Sequence, residues 1–364
     1  MYSFEPTDEQ KMLIDAIKRY ANGDLRPAAH DADEEAAFKP ALIEKGWELG
    51  VLQASIPEDF GGFGDYSPLT GVLAAEEMAW ADLAGAMAVM TPALFAVPLL
   101  LAGTDEQKGE YLPPLAEGEW QPYTAALIEE RFDFDATDLS TLAEEDGDDY
   151  VINGAKAYVP FADHAVAMLV YARLGEGTQA FIVPGDAAGI TVGERQKLLG
   201  LNALPLYHLK FEGVRVPKGN RLGGAGGHAI EPILATAFLA NAAMAIGVSR
   251  AAYDYSRDYA KDRDVFGVKA AQKQAIAFML AEMATEIEAI RLLLWEAAWM
   301  LETGKEGAFK QAYLAHVGAM DMAIMVTDRA VQILGGHGYI REHPVELWLR
   351  NGRGFTTFAG LAMV

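Results

Sequence analysis

The chain has 364 residues, 51% of them hydrophobic and 22% charged, which suits a soluble globular protein of two or three domains. A formal net charge of −23 repels nucleic-acid phosphates and anionic lipid, so an anionic substrate needs a local basic site. There is no cysteine, which excludes disulfides, thiolate metal sites and cysteine nucleophiles.

The first segment, MYSFEPTDEQKMLIDAIKRYA, has no basic start followed by an apolar run. No signal or transit peptide is expected from it, and the cytoplasm is the expected location. From Thr7 the pattern is helical, with a Thr or Asp cap, early acids, and Met12, Leu13, Ile17 and Tyr20 at helical spacing. IPEDFGGFG, from Ile56, is a loop punctuated by Pro and Gly. The apolar stretch MAVMTPALFAVPLLLAG contains two prolines and reads as a buried helix pair, with no membrane span expected. LAGTDEQKGEYLPPLAEGEW reads as a short helix stopped by Pro113-Pro114.

From about Gln121 the period shortens. Asn153-Gly154, between β-rich flanks, is the strongest short hairpin signal, and the acidic run Glu144 to Asp149 reads as a solvated turn. HAVAMLVYARL, QAFIVPG, ITVG and YHLKFEGVRVP follow at strand length, which suggests a small barrel or sandwich. GGAGG, Gly223 to Gly227, reads as a hinge into a second helical zone. There Ile276, Met279, Met283, Ile287, Ile290 and Leu294 share one stripe, with Glu282, Glu286 and Arg291 off it. Three or four such helices make an antiparallel bundle. The fold class is therefore α+β, with a helical unit at 1–119, a β-barrel at 120–224 and a helical bundle at 225–364.

YAKDRDVFG, KQAIAFMLAEMATEIEAIRLLLWEAAW and QILGGHGYIREHPVELWLRNGR resemble the C-terminal half of the acyl-CoA dehydrogenase family. IPEDFGGFG, LAAEEMAW, DYVINGAKAYV and FEGVRVPKGNRLG resemble its N-terminal and middle segments. The resemblance implies bound FAD, oxidation of an acyl-CoA thioester to the α,β-enoyl-CoA, a dimer or tetramer, and an electron-transferring flavoprotein as acceptor. It also implies that an Arg-x-x-Phe-Gly and a Gln-x-x-Gly-Gly motif reach across a subunit interface to the partner's FAD. Here these are Arg263, Phe266 and Gly267, and Gln332, Gly335 and Gly336, with Gln274 also matching. An arginine neutralises pyrophosphate, and glycines let the backbone approach closely. Read alone, each motif is also an ordinary surface arginine or helix stop.

Other family positions are altered. The usual Thr-Glu-Pro and Gly/Ser-rich loop are replaced by AALIEERFDFDATD, and the aromatic-Ile-Thr-Asn segment by Tyr158 to Phe161, which keeps an aromatic at Tyr158 but places Pro160 where a hydroxyl is expected. The chemistry needs a carboxylate to take the thioester α-proton. The family's two alternative positions for that base are occupied by Ala359, after Phe358, and by Ala237, and the neighbouring arginine is Phe238. No catalytic residue is identified. What one chain offers to its partner's flavin survives, and what it needs for its own has decayed. That pattern resembles a subunit of a heteromeric acyl-CoA dehydrogenase, of the kind known for bulky substrates such as steroid side chains, whose partner supplies the Glu base. Three alternatives stand beside it: a homomeric enzyme whose base was replaced by Ala359, a desulfinase or monooxygenase type of flavin chemistry, and a flavin-free structural subunit. Glu231, Asp133 and Asp135 are weak candidates for a replacement base, and the seven histidines, His337 and His343 among them, show no metal spacing. The small residues in LANAAMAIG suit close helix packing better than a widened acyl pocket.

Overall fold

The computed structural model describes residues 5–355 and 359–364. Seven helices come first: α1 (Asp8–Tyr20), α2 (Arg26–Glu35), α3 (Pro40–Trp47), α4 (Pro68–Ala81), α5 (Leu83–Met90), α6 (Ala93–Ala102) and α7 (Asp105–Glu117). The tetrapeptide Thr-Asp-Glu-Gln occurs twice and starts a helix both times. Thr7 and Thr104 each accept the backbone N–H three residues on, and Gln10 and Gln107 each return the bond to the cap N–H. The apolar stretch forms α5 and α6, buried as a pair bent by 50°.

Helix α7 corrects one expectation. It runs through Pro113 and Pro114 and ends at Gly118. A proline leaves the carbonyl four residues earlier without its helical donor. Here those carbonyls belong to Gly109 and Glu110, both exposed, so water can serve them, while Leu112 and Leu115 anchor the opposite face in the core.

Seven strands follow: β1 (Tyr123–Ala126), β2 (Leu142–Asp146), β3 (Asp149–Pro160), β4 (Ala167–Leu174), β5 (Gly177–Pro184), β6 (Ile190–Arg195) and β7 (Leu206–Pro217). The order is β1-β4-β2-β3-β7-β6, with β5 paired to β4. The barrel expected from the sequence takes the form of a curled sheet, its inner face filled by Tyr150, Ile152, Phe181, Phe211 and Val214. Asn153-Gly154 is not the hairpin turn. It lies inside β3 at a bulge opposite β7, where the Asn153 carboxamide oxygen accepts the Gly213 N–H and Gly154 adopts φ 149°. A Cβ at Gly154 would lie 2.6 Å from the Thr141 backbone, so close approach, not a turn, selects this glycine. The turn falls at Gly147-Asp148, inside the acidic run, between the paired Asp146 and Asp149.

The rest is helical: α8 (Glu231–Asp262), a two-strand hairpin of β8 (Asp264–Val265) and β9 (Val268–Lys269), α9 (Gln274–Glu302), α10 (Ala308–Leu334) and α11 (Val345–Phe355). GGAGG is a packed turn, not a loose hinge: Cβ atoms at Gly223 and Gly227 would meet the Gly227 carbonyl at 2.3 Å and the Arg221 guanidinium at 2.0 Å. On α9 the apolar stripe is buried at Met283, Ile287, Ile290 and Leu294 and half-buried at Ile276 and Met279, as its period requires. The small residues of α8 serve packing. Gly247 lies against α4, where a Cβ would sit 2.4 Å from the Glu76 carbonyl oxygen. Gly247→Ala is therefore expected to lower the unfolding free energy by about 1–3 kcal/mol, read by urea denaturation, because neither backbone can yield without separating α4 from α8.

Candidate functional site

The outward motifs gather at one end of the bundle. Arg263 caps α8, and the β8–β9 hairpin turns at Phe266 and Gly267, whose φ values of 52° and 80° give the twist a two-residue hairpin needs. A left-handed backbone is costly for a bulky residue, yet Phe266 is 95% exposed and covers no core. Gln274 opens α9 on the surface, and Gln332 is exposed in the last turn of α10. The Tyr259 hydroxyl, one turn before Arg263, shares a hydrogen bond of 2.8 Å with Nδ1 of His337, which follows Gly336. That bond ties both motifs together.

Two features of this surface are not explained within the chain. Arg263 forms no ion pair among the described residues, in a protein of net charge −23. Gly336 has no unusual φ, and a Cβ there would meet nothing within 4 Å. Gly335 does need its φ of 60° to end α10. An unpaired guanidinium beside bare backbone fits an anionic group brought from outside.

The inward side is different. Tyr158 sits at a second bulge of β3 with φ 56°, and its N–H donates to Oε1 of Gln196 at 3.1 Å. It lines a cavity of about 200 Å³ with Leu198, Leu201, Leu206, Arg350 and Leu361. Pro160 ends β3 without an N–H, and Phe161 (φ 51°) turns its ring onto Trp120 at 5.0 Å. For FAD the fit is thus one-sided. The outward surface suits its phosphates, whereas on the inward side Pro160 offers neither the expected hydroxyl nor an N–H, and the Tyr158 N–H is already engaged by Gln196.

The two base positions carry no acid. Ala359 is half-buried in a turn ahead of Gly360, and Phe358 lies outside the described residues. Ala237 is fully buried on α8. Its neighbour Phe238 stacks on His316 of α10, with ring centroids 5.1 Å apart. Burial pushes His316 down to about 4, which keeps it neutral. Glu231 is exposed at the start of α8, Asp133 pairs with Arg131, and Asp135 accepts from Thr137. His337 and His343 stack at 5.1 Å, each bonded to a tyrosine of α8, and no three metal-ligating side chains cluster among the described residues.

Sequence reading missed the buried pair beneath the altered loop. Lys156 of β3 is buried and donates to Oε1 of Glu129 at 2.9 Å and to the Leu127 carbonyl at 3.0 Å. Glu129 also accepts the Ser140 and Thr141 N–H groups. Burial alone would raise this carboxyl, but Lys156 and the two amides hold it at about 2. A lysine in the middle of an alternating strand, NGAKAYV, was the available signal. Lys156→Met leaves a buried carboxylate unpaired and is expected to remove about 3–5 kcal/mol of stability in urea titration, largely restored by Glu129→Leu in the double variant. Because the folded pKa lies below the unfolded value of about 4.3, the wild-type contribution is present above that value and fades as pH falls toward 2.

Comparison with known proteins agrees over nearly the whole chain. The acyl-CoA dehydrogenase N-terminal domain matches residues 7–119, the middle domain 124–214 and the C-terminal domain 224–362. The mitochondrial short-chain specific acyl-CoA dehydrogenase of Bos taurus is 35% identical over 360 residues, covering 96% of this chain and 86% of that protein. The caffeyl-CoA reductase-Etf complex subunit CarC of Acetobacterium woodii is 34% identical over 367 residues, covering 98% and 96%. The structure of butyryl-CoA dehydrogenase from Megasphaera elsdenii superposes with a TM-score of 0.90 at 32% identity, over 99% of this chain and 96% of the other. With its three-part architecture and its outward motifs in place, the chain belongs to the acyl-CoA dehydrogenase family of FAD-dependent oxidoreductases.

Proposed function

We propose that this chain is one subunit of a heteromeric acyl-CoA dehydrogenase, completing an FAD site together with a homologous subunit that carries the glutamate base. The observation that carries this reading is a contrast within one chain. Arg263, in no ion pair among the described residues, and an open Gly335-Gly336 backbone face outward, while both base positions hold methyl groups. Arg263 neutralises the pyrophosphate, Gly335 and Gly336 let the backbone approach the cofactor, and Gln332 and Gln274 offer polar contacts beside them. FAD, once bound, supplies the hydride acceptor for the β-carbon. The α-proton goes to the partner's carboxylate, because Ala359 has only an amide N–H to offer, toward a carbonyl oxygen and not toward a proton. An electron-transferring flavoprotein is the proposed acceptor, supported by a relative that works as part of an Etf complex.

Co-expression with a homologous chain bearing glutamate at the position equivalent to Ala359 tests this. The pair is expected to retain flavin, and Arg263→Gln in this chain to weaken that retention by roughly tenfold or more, the loss of one charge-assisted bond set. Flavin content indifferent to Arg263 would contradict the reading. In the isolated chain, Ala359→Glu is expected to give no acyl-CoA-dependent bleaching. Rapid bleaching by that variant alone would identify a self-sufficient enzyme whose base is simply absent.

A further inference from the structure

A cavity of about 490 Å³ opens between α2 and the start of α11, within the size range of small-molecule sites. Arg26 lines it. The carbon at the centre of its guanidinium lies 4.0 Å from the centroid of the Trp80 ring and 4.8 Å from that of Trp348, so two indoles fix its plane. Nη1 donates to the Trp80 carbonyl at 3.0 Å. Nε and Nη2 bond no atom of the described residues, and Arg26 joins no ion pair among them. Arg350, on α11, is the contrast: it pairs with Asp33 and with Glu346, each at 2.8 Å. Burial pushes Arg26 down to about 10, which Asp254 offsets only in part, so it stays charged at neutral pH and short of a counter-ion. A guanidinium held in this way offers its free edge to a planar carboxylate.

The rest of the lining selects among anions. His30 and Arg341 add basic groups at the exposed rim, and Arg341 is already paired with Glu34. Glu342 and Glu346 also line the cavity, the latter held by Arg350. Carboxylates so near repel a second negative charge, so a monoanion fits better than a phosphate dianion. Ala81 and Leu347 are buried apolar walls that suit an apolar body behind the charged end. We propose that this cavity is a binding site for a small organic monocarboxylate, its carboxylate on the free edge of Arg26 and its apolar body against Ala81 and Leu347. The site uses none of the residues assigned to FAD or to the missing base, so it stands independently of the proposed function.

Benzoate is the probe, titrated by isothermal calorimetry into the full-length chain at pH 7 and low salt. Saturable binding of one benzoate per chain is expected, with inorganic phosphate at least tenfold weaker. Arg26→Gln is expected to weaken benzoate at least tenfold, and Arg26→Lys, which keeps the charge but loses the fork, to recover little of it. His30→Glu, at an exposed position, adds a negative charge to the rim and is expected to weaken benzoate severalfold with cooperative melting unchanged. No saturable binding to the wild-type chain overturns the site, as does an affinity that Arg26→Gln leaves unchanged. Where Arg26→Gln does not fold, an affinity unchanged in His30→Glu overturns it instead. Phosphate binding as tight as benzoate overturns the monocarboxylate class.

Discussion

Glu76 is buried on α4, and two guanidinium groups from other helices converge on its carboxylate. Arg250 of α8 reaches Oε1 at 2.7 Å, and Arg291 of α9 reaches it at 3.0 Å, while Arg250 also pairs with Glu77 at 2.5 Å. A buried carboxylate left unpaired is strongly destabilising, so the three helices must arrive together. Gly247 permits this by letting the α8 backbone touch that of α4 beside the same glutamate. The first helical unit is thereby fixed on the bundle. Val364 in turn rests on α4, where a Cβ at Gly71 would lie 2.8 Å from the Val364 Cβ.

The same fixation divides the protein's chemistry between an inside and an outside. Inside, Ala237 is fully buried among apolar residues, His316 is neutral, and the buried Lys156 and Glu129 are consumed in a structural pair. Outside, the end of the bundle presents Arg263, which forms no ion pair among the described residues, and Gly336, whose bareness the chain itself does not require. A protein that needed only its own contacts would gain from a side chain at Gly336 and from a partner for Arg263. Their absence makes physical sense where a second molecule completes the surface.

Much of this was legible in the sequence because it depends on local or strictly periodic signals. The α9 stripe and the outward motifs are of that kind. The misreadings share one cause, a local signal overruled by a tertiary contact. Asn153-Gly154 looks like a turn, but the approach of Thr141 makes it a bulge. Pro113-Pro114 looks like a stop, but the lost bonds face water while Leu112 and Leu115 hold the helix to the core. GGAGG looks loose, but its neighbours pack tightly against it. Lys156 left a signal, a lysine inside an alternating strand, but its partner Glu129 was not legible, since it lies on another element and carries no spacing rule. Ala359 and Ala237 were found as absences, and the structure adds to them the neutral, closed surroundings of Ala237.

The central claim is that this chain cannot assemble a working flavin site from its own residues. The visible absorption spectrum of the chain purified alone, with flavin counted per polypeptide before and after an acyl-CoA is added, measures it directly. The account predicts little bound flavin and no bleaching. A full complement of flavin that bleaches rapidly on adding acyl-CoA would contradict it, and would place a working base somewhere other than Ala359 or Ala237.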